Sequence, residues 1–207
     1  MAISVVGTSA TADPWVAPST VTPTAATPEL WIVVGTGAYG TCSLTIDSVT
    51  PHNQVQYDQI AIGWDIVAAG SHTVSSNGVG VGVVRCKGYK AGNPYLDYHT
   101  GSYYASVFQA AQTLETEVGG IMVAVAGRKF YPDADYGAGE AGSVGIVQFA
   151  TTKPCDLHAF GGSGHYKLTT AASSTDALDI TFWAQEDNVG IGMSFSPGAA
   201  AASPVWW

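Results

Sequence analysis

Short apolar segments separated by turn-forming residues recur along the whole chain. In residues 41–49, Cys42, Leu44 and Ile46 alternate with polar neighbours, which is the pattern of a strand with one buried face. Residues 30–35 (LWIVVG) form a continuous apolar run of strand length and predict another strong strand. No helical periodicity alternates with these segments in the way that a βαβ fold requires. The pattern therefore predicts an all-β protein built from many short strands.

Residues 118–128 (VGGIMVAVAGR) form the apolar stretch around which we expect the fold to be organised. The run is too short for a membrane span and too rich in glycine for a good helix. Ile121, Val123 and Val125 alternate with mostly smaller side chains, so one side of the strand is large and the other can approach a neighbour closely. We predict a central strand that is packed on both faces, with these three residues buried.

Composition divides the chain into three parts. Residues 1–28 are rich in proline, threonine and alanine and predict an extended arm or edge strands, because proline removes a backbone donor. Residues 29–197 contain the strand series and predict an antiparallel β-sandwich that is jelly-roll-like, and residues 198–207 predict a hydrophobic C-terminal tail. Within the sandwich, residues 87–104 are expected to form a polar loop with many tyrosines. Residues 105–114 suit a helix or a strand.

The charge balance excludes some partners. Seven basic residues stand against sixteen acidic ones, a formal net charge of −9, and no Lys/Arg cluster is present. Direct binding to nucleic acid is therefore not expected. No run is long and apolar enough for a transmembrane helix, and the N-terminus lacks the features of a signal peptide. We expect a chain that is made in a cytoplasm and does not enter a membrane.

The three cysteines are odd in number and far apart in sequence. Cys42, Cys86 and Cys155 show none of the CxxC spacing of a zinc ribbon or a redox pair. Buried free thiols are the favoured interpretation, and a single disulfide remains the alternative.

Histidines offer one candidate metal site. His158 and His165 flank a glycine-rich turn and would approach each other in a hairpin, with Asp97 or His99 as a further ligand. Surface or packed histidines are the favoured alternative. Ser163 lies near His165, but it lacks the G-x-S-x-G setting of an exposed nucleophile. We therefore predict no metal ion and no serine hydrolase site.

Acidic residues give two further candidates. Asp133, Asp135 and Glu140 lie in DADYGAGE, which is similar to a calcium loop but has the wrong residues at the fifth and sixth positions. Asp97 with Glu140 or Glu186 would be a carboxylate pair of the kind that hydrolyses glycosides, yet a chain with many acids offers such pairs by chance. We predict no catalytic residue, no cofactor and no enzymatic activity.

Exposed aromatic residues are the most distinctive candidates for binding. Flat aromatic faces stack on sugar rings or anchor a protein interface, and the alternative is that they cover an edge of the sandwich. Five tyrosines form the predicted patch: Tyr89, Tyr95, Tyr98, Tyr103 and Tyr104. Trp206 and Trp207 end the tail after a flexible AAAAS segment, and we expect them to bind a partner or a neighbouring copy rather than remain in water; the alternative is that they fold back on their own domain.

Four segments carry a resemblance to a known group of proteins. They are AAGSHTV (68–74), VGVVRCKGYKAGNPYLD (81–97), TEVGGIMVAVAGR (116–128) and DITFWAQEDNVGIGMSFSPG (179–198). Their order resembles that of bacteriophage and prophage virion proteins, which are β-sandwich components of tails and heads. The Pro-rich arm and the tryptophan tail lie outside this pattern.

The resemblance implies a structural virion role and carries over no catalytic residue. It favours a capsid decoration protein on the outer surface of the particle, made in the host cytoplasm. A tail structural protein is the first alternative, and a carbohydrate-binding module that uses the tyrosine loop is the second. The expected partners are other virion proteins (major capsid or tail proteins), further copies of the chain, and a host surface glycan.

Overall fold

The computed structural model describes residues 1–12, 18–37, 41–78, 80–109, 114–128, 140–141, 146–152, 161–169 and 179–199. Within these ranges the chain forms sixteen β-strands and no helix, so the prediction of an all-β, sandwich-like fold is confirmed. It follows that no helix in the described part is long and apolar enough to cross a membrane.

Two large antiparallel sheets make up the body. The central sheet has the strand order β1 (Ser4–Ala12), β10 (Gly80–Lys87), β4 (Glu29–Thr36), β7 (Ile60–Val67) and β6 (His52–Tyr57). The long sheet has the order β11 (Tyr95–Gln109), β16 (Asp179–Phe195), β12 (Ile121–Arg128), β15 (Gly161–Leu168) and β14 (Ile146–Thr152), and β13 (Glu140–Ala141) also pairs with β16.

Very short strands add a third layer. One small sheet has the order β2 (Ser19–Val21), β9 (Val74–Ser76) and β5 (Leu44–Ile46), and β3 (Thr24–Ala25) pairs with β8 (Gly70–Ser71). Each of these strands has two or three residues. They cover the face of the central sheet that points away from the long sheet.

The central sheet separates two apolar cores. Ile32 and Ile62 of the central sheet pack with Val123 and Ile191 of the long sheet in the larger core. The opposite face contributes Trp31 to a second core, together with the small sheet. Every residue of β4 is buried, which agrees with its continuous apolar run.

The stretch predicted to be a central strand is β12. It lies between β15 and β16, and Ile121, Val123 and Val125 are fully buried in the larger core. The smaller side chains of Ala124 and Ala126 on its other face are also fully buried. The prediction of a strand packed on both faces is therefore confirmed.

The N-terminal segment forms edge strands where it is described. β1 pairs along β10 at the edge of the central sheet, and the preceding Ile3 is buried in the larger core. At the other end, the Gly198 N–H donates to the carbonyl of Gly88 at 2.6 Å, so the chain stays attached to the body up to that residue. Residues 200–207 of the predicted tail lie outside the described residues.

The predicted tyrosine loop is mostly a strand, which corrects the sequence-based expectation. Only residues 88–94 form a turn, and β11 then runs for 15 residues from Tyr95 to Gln109 along the 17-residue β16. Tyrosine and threonine favour a pleated, half-buried surface, and pairing with β16 satisfies the backbone groups. β12 pairs only with residues 188–195 of β16, so residues 104–109 of β11 extend beyond the end of β12 by roughly 20 Å.

Candidate functional site

The five candidate tyrosines do not form one exposed patch. Tyr89 lies in the turn, forms a bridge with Pro197 and packs against the larger core. Tyr95 packs against the edge of Phe195, with ring centroids 6.4 Å apart. Burial raises the pKa of both phenols, as expected of tyrosines that are partly in the core. Two of the five therefore contribute to packing.

Among the candidate tyrosines whose side chains the structure describes, Tyr98 is exposed, with 48% of its surface accessible to solvent. It lies on β11, opposite Met193 of β16. Tyr103 and Tyr104 are further along β11, opposite Asn188 and Asp187, and their side chains lie outside the described part. Trp206 and Trp207 also fall outside it.

An open cleft lies beside the turn that leads into β11. Its volume is about 390 Å³, and its walls come from β6, from β7 and from the turn. The residues that line it are His52, Asn53, Trp64, Asp65, Ile66, Gly92 and Asn93. No pattern in the sequence indicated a site at this cleft.

A stack of aromatic rings forms the base of the cleft. Trp64 of β7 is only 6% exposed and packs edge-on against Phe195, with centroids 6.2 Å apart. The His52 ring lies on the Trp64 indole at 5.7 Å and an interplanar angle of 27°. The His52 side chain is 72% exposed, so the rest of its ring faces solvent. A rigid core residue thus supports an exposed flat ring.

Register places these two rings together. His52 is the direct cross-strand partner of Trp64, and an irregularity in the pairing follows between His52 and Val55. Asn53 lies in this irregularity with a φ of 45°. Asparagine tolerates this left-handed conformation better than most residues. The irregularity in β6 therefore lies at the cleft, which His52 and Asn53 both line.

Polar groups surround the rings. Asp65 Oδ1 lies 3.2 Å from His52 Nδ1 and also accepts a hydrogen bond from the Ile66 N–H at 2.8 Å. On the wall that the turn forms, Asn93 Oδ1 accepts from the Tyr95 N–H at 3.1 Å, which fixes the amide. Gly92 next to it has a φ of 83°, so the tight turn there favours glycine.

A second histidine–aspartate pair has a structural role. His72 Nδ1 lies 2.6 Å from Asp47 Oδ2, His72 Nε2 lies 3.0 Å from the carbonyl oxygen of Ala68, and the Thr73 N–H donates to Asp47 Oδ1. Both partners of the ring are acceptors, so both ring nitrogens donate only when the imidazole is protonated. The hydrogen bond to Asp47 raises the pKa of His72, and the same bond lowers the pKa of Asp47. With both nitrogens engaged, His72 is placed to hold two segments together rather than to bind a metal.

Among the described residues, the candidate metal ligands His99 and His165 are not brought together. In the long sheet, His165 of β15 is the cross-strand partner of Ala124 in β12, and Ala124 is also the partner of Gly192 in β16. Gly192 is in turn the partner of His99 in β11. Three strand spacings therefore separate the two histidines, roughly 14 Å. Burial lowers the pKa of His165 to about 4, so its ring is neutral. Among the described residues no cluster of three metal-binding side chains occurs, and His158 lies outside them.

Register also separates the candidate carboxylate pairs. Asp97 is opposite Ser194, whereas Glu186 is opposite Ala105, so the two acids are roughly 25 Å apart along β11 and β16. Glu140 pairs with Thr181, still further along β16. These distances exceed the separations that glycosidases use. The other two acids of the predicted calcium loop, Asp133 and Asp135, lie outside the described residues.

The remaining candidates are also explained by packing or position. Ser163 lies within β15 opposite Ala126, not on a strand-to-helix turn. Cys42 and Cys86 are buried free thiols, as predicted, and burial raises the pKa of Cys42 to about 11 and that of Cys86 to about 12. Cys155 lies outside the described part of the chain.

The arrangement that can act on a ligand is therefore the cleft, which combines an exposed ring, a carboxylate and two amides. Its groups can bind and orient a molecule, since each offers a hydrogen bond or a flat apolar surface. No protein-family model, curated protein or solved structure matches the chain.

Proposed function

We propose that the chain is a non-enzymatic structural component of a phage virion and, within that class, a capsid decoration protein on the outer surface. The proposal starts from the resemblance of four segments to phage virion proteins. The observation that carries it furthest is strand β11. A long strand at the edge of a sheet is a surface on which a second chain can assemble.

β11 is unusually long for an edge strand. It has 15 residues, against about five or six in an average strand, and among the described residues it pairs with β16 alone. Asp97 is its only acidic or basic residue apart from His99. Proteins that stay monomeric usually shorten, charge or cover such edges. An edge of this length and composition favours pairing with another copy or with a major capsid protein.

The surface charge supports an outer location. The chain has a formal net charge of −9 and only 11% charged residues. A negative field repels packaged nucleic acid, so a position outside the shell agrees better with the charge than one facing the genome. A tail structural protein would use the same edge, and the location on the particle separates these two roles.

The assembly part of the proposal is tested with Tyr98→Lys. Lysine on an edge strand opposes strand addition, and Tyr98 is exposed on β11. Val49→Lys is the matched control, because Val49 is also an exposed apolar residue (65%) but lies outside β11. We expect wild type and the Val49 variant to be oligomeric by size exclusion with light scattering, and the Tyr98 variant to shift towards monomer.

Association with the virion is tested by sedimentation. Particles from a lysate of the source culture are purified on a density gradient, and their proteins are identified by mass spectrometry. We expect the chain to co-sediment with the particles and with a capsid or tail protein. A monomeric wild-type chain found only in the soluble fraction would overturn the proposal.

A further inference from the structure

We infer that the cleft beside β6 and β7 is a binding site for a neutral saccharide. The inference does not depend on the virion role, because it uses only the shape and chemistry of the cleft. It moves sugar binding away from the tyrosines that the sequence suggested, because the cleft takes only Gly92 and Asn93 from the segment 87–104. Of the tyrosines in that segment, none lines the cleft.

The size and construction of the cleft suit a small ring. Its volume of about 390 Å³ is near the lower end of the range for small-molecule sites, about 300–1,000 Å³. Trp64 is anchored in the larger core and contacts Phe195, so the base of the cleft is held by two sheets. A preformed base reduces the ordering that a ligand must impose on binding.

The exposed His52 ring provides a platform for a sugar. One side of the ring is stacked on Trp64 and the remainder is open to solvent. A pyranose has a face of C–H groups, which packs against a flat ring while its hydroxyl groups point to the rim. Ile66 adds an apolar side chain to the same cleft.

The polar groups match neighbouring hydroxyl groups. Asp65 uses Oδ1 for its contacts with His52 and the Ile66 N–H, so Oδ2 is placed to accept from a hydroxyl. Asn93 uses its oxygen to accept from the Tyr95 N–H, so its NH₂ group is placed to donate. A carboxylate that accepts and an amide that donates together bind a hydroxyl group in both of its roles, or two adjacent hydroxyl groups.

Charge selects against anionic ligands. The cleft contains the Asp65 carboxylate, no lysine and no arginine among its lining residues, and the chain carries a net charge of −9. A phosphate, a nucleotide or a sialylated sugar would meet repulsion with no lysine or arginine in the lining to offset it. A neutral hexose or N-acetylhexosamine unit meets none.

The test measures binding of defined sugars to the full chain. Glucose, galactose, mannose and N-acetylglucosamine, as free sugars and as short oligosaccharides, are screened together with a sialylated trisaccharide by saturation-transfer NMR, and the best ligand is titrated by calorimetry. His52→Ala removes the platform and Asn93→Ala removes the donor. Tyr98→Ala is the matched control, because it removes an exposed aromatic ring outside the cleft.

We expect each cleft variant to weaken binding about tenfold or more, as the loss of a hydrogen bond or a stacked ring does, and Tyr98→Ala to bind like wild type. Thermal melting checks that all variants are folded. The inference is overturned if none of the neutral sugars binds at millimolar concentration. It is also overturned if Tyr98→Ala abolishes binding while the cleft variants retain it, or if a sialylated sugar binds best.

Discussion

Replacing Arg85 by methionine should leave a buried carboxylate without its counter-charge. Glu29 begins β4 and is only 2% exposed. Its Oε2 accepts from Trp31 Nε1 at 3.1 Å and lies 3.8 Å from Arg85 Nη1, and the same Arg85 nitrogen donates to the carbonyl of Thr24. Methionine keeps much of the length of the arginine side chain but removes the charge and the donors.

The magnitude follows from the burial of Glu29. Removing one partner of a buried ion pair costs about 3–5 kcal/mol, because the other charge stays in a poorly solvated place. Arg85 retains some solvent contact, with 19% of its side chain exposed, so we expect the low end, about 3 kcal/mol. A domain of this kind has a total free energy of unfolding of about 5–15 kcal/mol. The variant should fold but be clearly less stable.

A double-mutant cycle with urea denaturation measures this effect. Glu29→Gln keeps an oxygen that can accept from Trp31 but removes the buried charge. The double variant Glu29→Gln/Arg85→Met should therefore recover about 2 kcal/mol relative to Arg85→Met alone. Lys90→Met is the control, because Lys90 is exposed and its side chain should matter by less than about 0.5 kcal/mol.

Two results would refute this reasoning. In the first, Arg85→Met unfolds within about 0.5 kcal/mol of wild type, which would mean that Glu29 does not need the guanidinium group. In the second, the double variant is as unstable as Arg85→Met, which would mean that the lost packing of the arginine, not the unpaired charge, causes the effect.

Three further predictions concern the cores and the small sheet. Val123→Asp should abolish folding, because it places an unpaired carboxylate in the larger core, and soluble expression with circular dichroism checks it. The pair His72–Asp47 should stabilise the fold most between about pH 3.8 and pH 6.5. The pKa of His72 is raised above 6.5, so its contribution is lost as the pH rises through that raised pKa. The pKa of Asp47 is lowered below 3.8, so its contribution is lost as the pH falls through that lowered pKa. Cys42 and Cys86 should resist alkylation in the native state and react once the chain is unfolded in urea, as peptide mass spectrometry will show.

Controls separate each effect from general instability. Val49→Asp places the same charge on an exposed residue and should leave the fold intact, whereas a cooperatively melting Val123→Asp would show that the core is elsewhere. As the pH rises from about 6 to about 9, the free energy of unfolding of the Asp47→Asn variant should decrease less than that of wild type. Equal decreases in the two proteins would contradict the role of the pair. Rapid native alkylation of Cys86 would contradict its burial.

The larger sheets could be predicted from the sequence because their strands carry their own signal. The alternation in β12 and the continuous apolar run of β4 both require burial on two faces, and the structure has both. Of the small strands in the third layer, β5 lies in the alternating segment 41–49, whereas two-residue strands such as β3 and β8 are too short for a period to appear. The three-layer arrangement therefore becomes visible only from tertiary packing.

Strand β11 shows how an edge strand can be mistaken for a loop. Its polar residues, such as Asp97 and His99, lie where one side of the sheet edge meets solvent, so the segment lacks an apolar run. Its paired residues in β16 lie between 70 (Gln109 and Asp179) and 100 (Tyr95 and Phe195) positions later in the chain, and a pairing over that distance leaves no local pattern. The sequence pattern therefore placed Tyr89 correctly in a turn, but it assigned the four tyrosines of β11 to a loop rather than to a strand.

The cleft could be predicted only in part. The cross-strand pair of His52 and Trp64 belongs to a local hairpin, so its register lies within reach of sequence reasoning. Asn93 reaches the same place through the turn before β11, and no spacing in the sequence links it to that hairpin. A site assembled from separate segments depends on how the two large sheets pack.

The central claim, that the chain is a structural component on the outside of a virion, is tested most directly by imaging the particle. Antibodies against the chain, coupled to gold, are applied to intact purified particles and viewed by electron microscopy. The account predicts gold over the surface of the head, and label confined to the tail would support the tail alternative instead. Particles that carry no label, while the antibody detects the chain free in the same lysate, would contradict the claim.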